Sequence, residues 1–360
     1  INYSAVVTTV LLEAFFADSS EMTELEKVNA YGSIYLYSLV VPIISVSGIF
    51  LAYLNQQHKY KKLVANGISP IKASRMIFNV PEAIKPNMLI IIGSIMFVIF
   101  TLLVGTSNII FSQEIVFIGS FAIILTLLFK LSNELDLKAK KMLLGTAIII
   151  FAFRAMPGVG QGGSWFEIDV LGFDQEFLSL LGLIASFLTI VGIFVLRPLM
   201  ENSSMNKLIV VLSIAGSFFI LPSIAMYYGF HEFTSKITNG LIDAHFIAIF
   251  NTALESPLGQ VSMIPILAWI AQSAPSHLKA TFFAILASFT NLALSASNLG
   301  TKYLNQLFVI TREVKSENGN IKIPADYSEL GFLLIVVCLL TLIVPILITY
   351  VVKKIKLISY

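Results

Sequence analysis

The sequence predicts an all-α polytopic membrane protein. Two observations predict the class and a third tests it. Of 360 residues, 57% are hydrophobic and only 12% are charged, with a mean hydropathy of +0.87. A soluble domain carries about 25% charge. The apolar residues also gather in runs of about 20, the length of a helix that crosses the hydrocarbon of a bilayer. The connectors between these runs then alternate between basic and acidic or mixed.

Ten runs stand out, at about 1–16, 31–54, 87–106, 110–130, 142–160, 176–196, 207–228, 246–274, 278–299 and 331–352. The first is short and reads as the tail of a longer helix, so the chain is expected to be N-terminally incomplete. Loop 17–30 is mostly acidic, whereas loop 55–86 carries Lys59, Lys61, Lys62, Lys72, Arg75 and Lys85 against Glu82. Connector 130–141 carries four lysines, the tip near 106–109 carries no charge, and 161–175 carries only acids. Arg197 and Lys207, then Lys279, then Lys353, Lys354 and Lys356 complete the basic set. Sixteen Lys and Arg fall on one side and six on the other; the remaining one, Arg154, lies inside a run. The positive-inside rule puts the first side, with the tail 353–360, in the cytoplasm.

Composition also excludes functions. Cys338 is the single cysteine, and it lies inside an apolar run. His58, His231, His245 and His277 show no ligand spacing. There is no phosphate-binding glycine loop, nucleophile elbow or metal motif. No enzyme, cofactor or nucleic-acid partner is expected; the expected surroundings are the lipid bilayer. Residues 55–86 read as a basic cytoplasmic linker lying on anionic headgroups, with an amphipathic piece at 71–80. Residues 300–330 read as an external connector able to form a hairpin around Asn318-Gly319-Asn320.

The most informative stretch is 154–175. Arg154 is followed by Pro157, Gly158, Gly160, Gly162 and Gly163, then Gln161 and Trp165 among them, then Glu167, Asp169 and Asp174. Proline removes a backbone donor, and glycine loosens the helix ladder. Within a membrane such a break survives only where it packs in protein or lines a cavity. Pro157, Gly158 and Gly160 are therefore candidate hinge residues. Pro257, beside Gly259 in the run 246–274, is another.

At Arg154–Gln175 and again at Glu255–Asn298, the chain resembles the folate–biopterin transporter family of the major facilitator superfamily. The resemblance rests on Pro157, on Leu171-Gly172-Phe173 before Phe177-Leu178, and on Leu258-Gly259-Gln260 with Pro265. Pro275, Lys279-Ala280-Thr281-Phe282-Phe283-Ala284, Ser288 and Asn291-Leu292 continue it. It covers about 142–352, which it implies is a C-terminal six-helix bundle. Residues 1–54 then hold the last two helices of an N-terminal bundle, and 87–130 an inserted transmembrane pair. That is a 14-helix arrangement; the alternative has 12 helices and no insertion.

The resemblance implies a secondary active transporter of a small anionic ring compound, such as folate or a pterin. It would work by alternating access and symport with protons, in a bacterial inner membrane or an organelle membrane of bacterial origin. Arg154 is then a clamp for a substrate carboxylate, or else the fixed partner of Glu255 or Glu167. Glu255 is a proton-coupling carboxylate, because burial makes a carboxyl hold its proton more tightly. Gln161, Asn251, Gln260 and Asn291 are candidate polar contacts to substrate. Trp165 either stacks on a ring or sits in an interfacial belt. The alternative function is a transport-inactive scaffold that binds a membrane-protein partner through 87–130.

Overall fold

The computed structural model describes residues 35–78, 88–107, 109–133, 135–259, 263–273, 279–315 and 321–357, with 29, 32, 33 and 261 besides. The run 1–16 and Gln260 lie outside the described residues. Among those described, six helices are long and apolar enough to cross a membrane. The chain is an integral membrane protein. It divides into two compact units, Ile1–Pro86 with Gln175–Ser186, and Asn87–Asp174 with Phe187–Tyr360.

In the first unit, α1 (Val40–Ala65) does not stop where the apolar run stops. It continues through Lys59, Lys61 and Lys62, because lysine, glutamine and leucine are good helix formers and nothing breaks the ladder. Asn66 and then Gly67, in the left-handed region at φ 84°, end it. The basic linker therefore begins as helix. A second helix, α2 (Pro70–Phe78), starts on proline, whose missing N–H costs nothing at that position. Ala73 of α2 is fully buried, and α2 packs back on α1. Ile43, Ile44, Ile49 and Leu51 of α1 are all exposed, a surface suited to lipid rather than water.

The second unit opens with α3 (Met88–Gly105) and α4 (Ser112–Ser132), joined by a short turn. They pack closely where small residues permit: a Cβ on Gly119 would sit 2.2 Å from the Phe100 ring. After α4, Asp136 caps α5 (Leu137–Arg154) by accepting from Ala139 N–H. The stretch 161–175, read from sequence as an acidic loop, instead forms α6 (Gln161–Asp169) before its turn. Gly158 and Gly160 lie upstream of α6, whereas Gly162 and Gly163 fall in its first turn, where they weaken the helix without forbidding it.

The elements that follow are α7 (Gln175–Val195), α8 (Arg197–Asn202), α9 (Met205–Tyr227) and α10 (Phe230–Ile237). The run 246–274 is not one helix. It is α11 (Ala244–Glu255), a 3₁₀ turn at Ser256–Leu258, and α12 (Met263–Ser273), divided at Pro257. The longest helix, α13 (Lys279–Leu307), outruns its apolar run by two turns. A two-stranded antiparallel ribbon, β1 (Val314–Lys315) with β2 (Ile321–Ile323), supplies the expected hairpin. Last comes α14 (Leu330–Lys354).

Helices α9 and α14 pack along each other, with α5 against both and α13 between α4 and α5. The core joins Ile149 and Ile150 of α5, Ile209 of α9, Ile266 of α12 and Phe282 and Leu286 of α13. Leu131, Leu135, Val352 and Leu357 belong to the same cluster. The lysine-rich connector and the basic tail therefore share one end of this unit.

Candidate functional site

Helix α5 ends at Arg154, and the chain runs without helix to Gly160 before α6 begins. Backbone groups released by that break need partners. One face of α13 provides them. Ser297 Oγ donates to Met156 O at 2.6 Å, Gly158 N–H donates to Thr301 Oγ1 at 2.9 Å, and Asn305 Nδ2 donates to Val159 O at 3.1 Å. Ser297, Thr301 and Asn305 lie four residues apart, so they form one row on the helix. Gly160 lies at φ 77°, and a Cβ there would meet Asn305 Nδ2 at 2.8 Å. Both the backbone angle and the close approach require glycine.

A neighbouring row on α13 faces a cavity of about 1130 Å³. Its polar members are Ser288, Asn291, Ser295, Asn298 and Lys302, and Thr301 and Asn305 of the first row border the same cavity. The opposite wall is α3 and α4, which add Phe97, Phe117, Thr101, Gln113 and Ser120; Gly160 and Gln161 close one end. Among the described residues, the lining is rich in amides and hydroxyls, includes two phenyl rings, and carries one cation and no acid. The cation is held from outside the lining. Lys302 Nζ lies 2.7 Å from Glu114 Oε1, and Tyr303 O–H donates to the same oxygen at 2.9 Å. A smaller cavity of about 240 Å³ lies on the other side of Gly160, lined by Glu167, Ser164 and Ser223 among apolar side chains.

Helix α6 is fastened beyond the break as well. Arg312 grips Asp169 with two hydrogen bonds, Nε at 2.9 Å and Nη2 at 2.8 Å, and Tyr327 O–H donates at 2.6 Å. The Arg312 guanidinium holds the Asp169 carboxyl below its usual range. Burial first, then the bond to Asp169, pushes the Tyr327 phenol up to about 12. Asp169 is thus a paired group and not a solvated loop acid. The tip before α4, the break, and the connector after α13 are brought together at the end of the unit opposite the lysines.

A family model described as the BT1 family matches residues 40–359. The chain belongs to the BT1 family. The match reaches well upstream of residue 142, into the part whose likeness is not legible by eye. Among curated proteins, a "Folate-biopterin transporter" of Synechocystis is 24% identical over 154 residues, 43% of this chain and 30% of its own length. A "Putative folate transporter 2" of Plasmodium berghei is 26% identical over 163 residues, 45% of this chain and 34% of its own. The matched part of the chain spans about a third of either relative. No solved structure matches.

The residues expected from sequence separate into groups in this BT1 chain. Gly160, Gln161 and Asn291 line the large cavity, and Gly160 the small one too. Arg154, Pro157, Gly158, Trp165, Asn251, Glu255 and Pro257 line neither. Arg154 Nε is buried without a hydrogen-bond partner, and among the described residues no acid pairs with it. The expected alternative of a fixed pair with Glu255 or Glu167 is not formed. Trp165 and Asn251 are half-buried, and Glu255 is exposed at the end of α11. Gln260 lies outside the described residues. Sequence reasoning passed over Lys302, Asn305, Gln113 and Thr101. The signal for the α13 members was present: polar residues at 288, 291, 295, 298, 302 and 305 alternate spacings of three and four, which marks one helix face.

Proposed function

We propose that this chain belongs to a secondary active transporter of a small anionic ring compound, such as folate or a pterin. It works by alternating access between two helix bundles of the major facilitator type, and protons drive it. The observation that carries the reading is the polar cavity bordered by a helix break, in a chain of the BT1 family. Its volume of about 1130 Å³ lies just above the usual range for pockets that hold a molecule of drug size, about 300–1,000 Å³. Its phenyl rings suit a flat ring, and its amides and hydroxyls suit the edge of one. Arg154 is the carboxylate clamp in this reading: it lies off the cavity wall in this state, and its buried Nε without a partner supports a partner gained in another state of the cycle. Glu255, next to the break at Pro257, is the coupling carboxylate in this reading. The end of the second unit that carries the lysines faces the cytoplasm, by the positive-inside rule.

The test is uptake of radiolabelled folate and biopterin into vesicles bearing the full chain, with and without an imposed proton gradient. The unaltered protein accumulates at least one compound, and more with the gradient. Arg154→Ala lowers uptake by about 10-fold or more, the usual scale for a lost charged hydrogen bond. Glu255→Gln removes the dependence on the gradient. No uptake of either compound by the unaltered protein, correctly inserted, defeats the substrate assignment.

A further inference from the structure

The cavity holds an arrangement to which the family match assigns no role. Lys302 is the one cation on its wall among the described residues. It is bound to Glu114 Oε1 at 2.7 Å and lies 5.8 Å from the centre of the Tyr303 ring. Glu114 is only 15% exposed. Its other oxygen, Oε2, is buried with no hydrogen-bond partner. Two hydroxyls of the same α3–α4 wall, Thr101 Oγ1 and Ser120 Oγ, are also buried and unpartnered. Buried polar atoms in proteins nearly always have partners. Thr101 and Ser120 belong to the cavity wall and Glu114 stands directly behind Lys302, so the surroundings of Lys302 hold polar groups with bonding capacity to spare.

The chemistry of that occupant follows from the pair. An ammonium offers three donors, and Glu114 takes one of them through a single oxygen. Separating the pair with nothing in exchange would leave the largely buried Glu114 carboxylate without its cation. Exchanging one carboxylate for another keeps Lys302 paired throughout. We propose that Lys302 is the receptor for a carboxylate of the cavity's occupant, and that Glu114 holds it in reserve. An entering carboxylate takes Lys302, and Glu114, released from it, keeps the hydrogen bond from Tyr303 O–H. Asn291 and Asn298, on the same helix as Lys302, then meet the neutral, hydrogen-bonding part of the ligand. This rests on the transport reading and names its substrate class: a ring compound that carries a carboxylate, preferred over one that does not.

Equilibrium binding to the full chain in lipid nanodiscs tests it. The probes are folate, which has carboxylates, and biopterin, which has none. The readout is the ratio of the two affinities, because a merely structural role would change both alike. In Lys302→Gln the preference for folate falls by about 10-fold or more, and Lys302→Arg restores most of it. In Glu114→Gln, Lys302 is no longer engaged by a carboxylate, and the preference for folate rises. An unchanged ratio in Lys302→Gln overturns the proposal while leaving the transport reading in place. If Lys302→Gln does not fold, Glu114→Gln decides, and an unchanged or lower ratio there overturns it. Binding of neither probe by the unaltered protein removes both the transport substrate and this proposal.

Discussion

Among the described residues, the breaks at Pro157 and Pro257 are held by opposite means. At Pro157 the chain leaves helix for several residues, and a row of side chains on another helix, Ser297, Thr301 and Asn305, binds the released backbone. At Pro257 the ladder merely tightens to a 3₁₀ turn. Gly259 N–H returns to Ser256 O, and Val261 N–H to Leu258 O. One outside hydroxyl, Thr189 Oγ1, adds a bond to Ser256 O at 3.0 Å. The rest is close packing: Gly192 of α7 lies against the Pro257 backbone. A break that is bound by polar side chains leaves polar surface around it, and there the large cavity opens. Neither cavity reaches Pro257.

Substitutions should separate the two. The largest effect is expected at Gly192, where a Cβ would lie 2.3 Å from Pro257 O and 2.5 Å from its Cα. Backbone cannot swing aside as a side chain can. Gly192→Ala should cost about 1–3 kcal/mol or more, read as a lower melting temperature in detergent. If it costs less than Gly160→Ala, the second break is not held by packing.

Next come the two threonines. Thr301→Val deprives Gly158 N–H of its acceptor and should cost about 1 kcal/mol. Thr189→Val should cost less, because Ser256 O keeps its bond from Gly259. Equal losses in thermal stability would erase the distinction between the breaks.

The smallest effect is expected at the far end of α6. Arg312→Met removes a half-exposed pair, worth roughly 0–1 kcal/mol. Because Asp169 has a lowered pKa in the folded protein, its contribution is present above the unfolded value of about 3.9 and is lost as pH falls through the lower folded value. The stability gap between the unaltered protein and Arg312→Met should thus hold at neutral pH and close in acid. A gap that widens in acid would contradict the geometry.

The position of the first break was legible because proline and glycine act locally, through a missing donor and a missing Cβ. The polar face of α13 was legible for the same kind of reason, since Asn291 and Ser295 repeat at helical spacing. What hid Lys302 and Asn305 was the end of the helix. The apolar run stops near residue 299, but helix does not require apolar residues, and α13 continues to Leu307. The same misreading shortened α1, which carries its helix on through lysines to Ala65.

The role of 87–130 was not legible. Hydropathy is equally high for a helix face that meets lipid and one that meets protein. In the fold the pair packs on α13 and forms a wall of the cavity. Glu114 meets Lys302 across 188 positions of chain, and no local pattern announces such a pairing. Nor does any pattern announce that Arg154 lies off the cavity wall with its Nε unpaired, since an arginine's surroundings are set by helix rotation. The sequence by itself determined the membrane class, the alternation of the connectors and the places where helices must break, because these depend on composition and on covalent properties of single residues. Only the tertiary structure decided which faces meet, which charges pair and where the space is left, because those depend on the packing of segments that the chain order holds far apart.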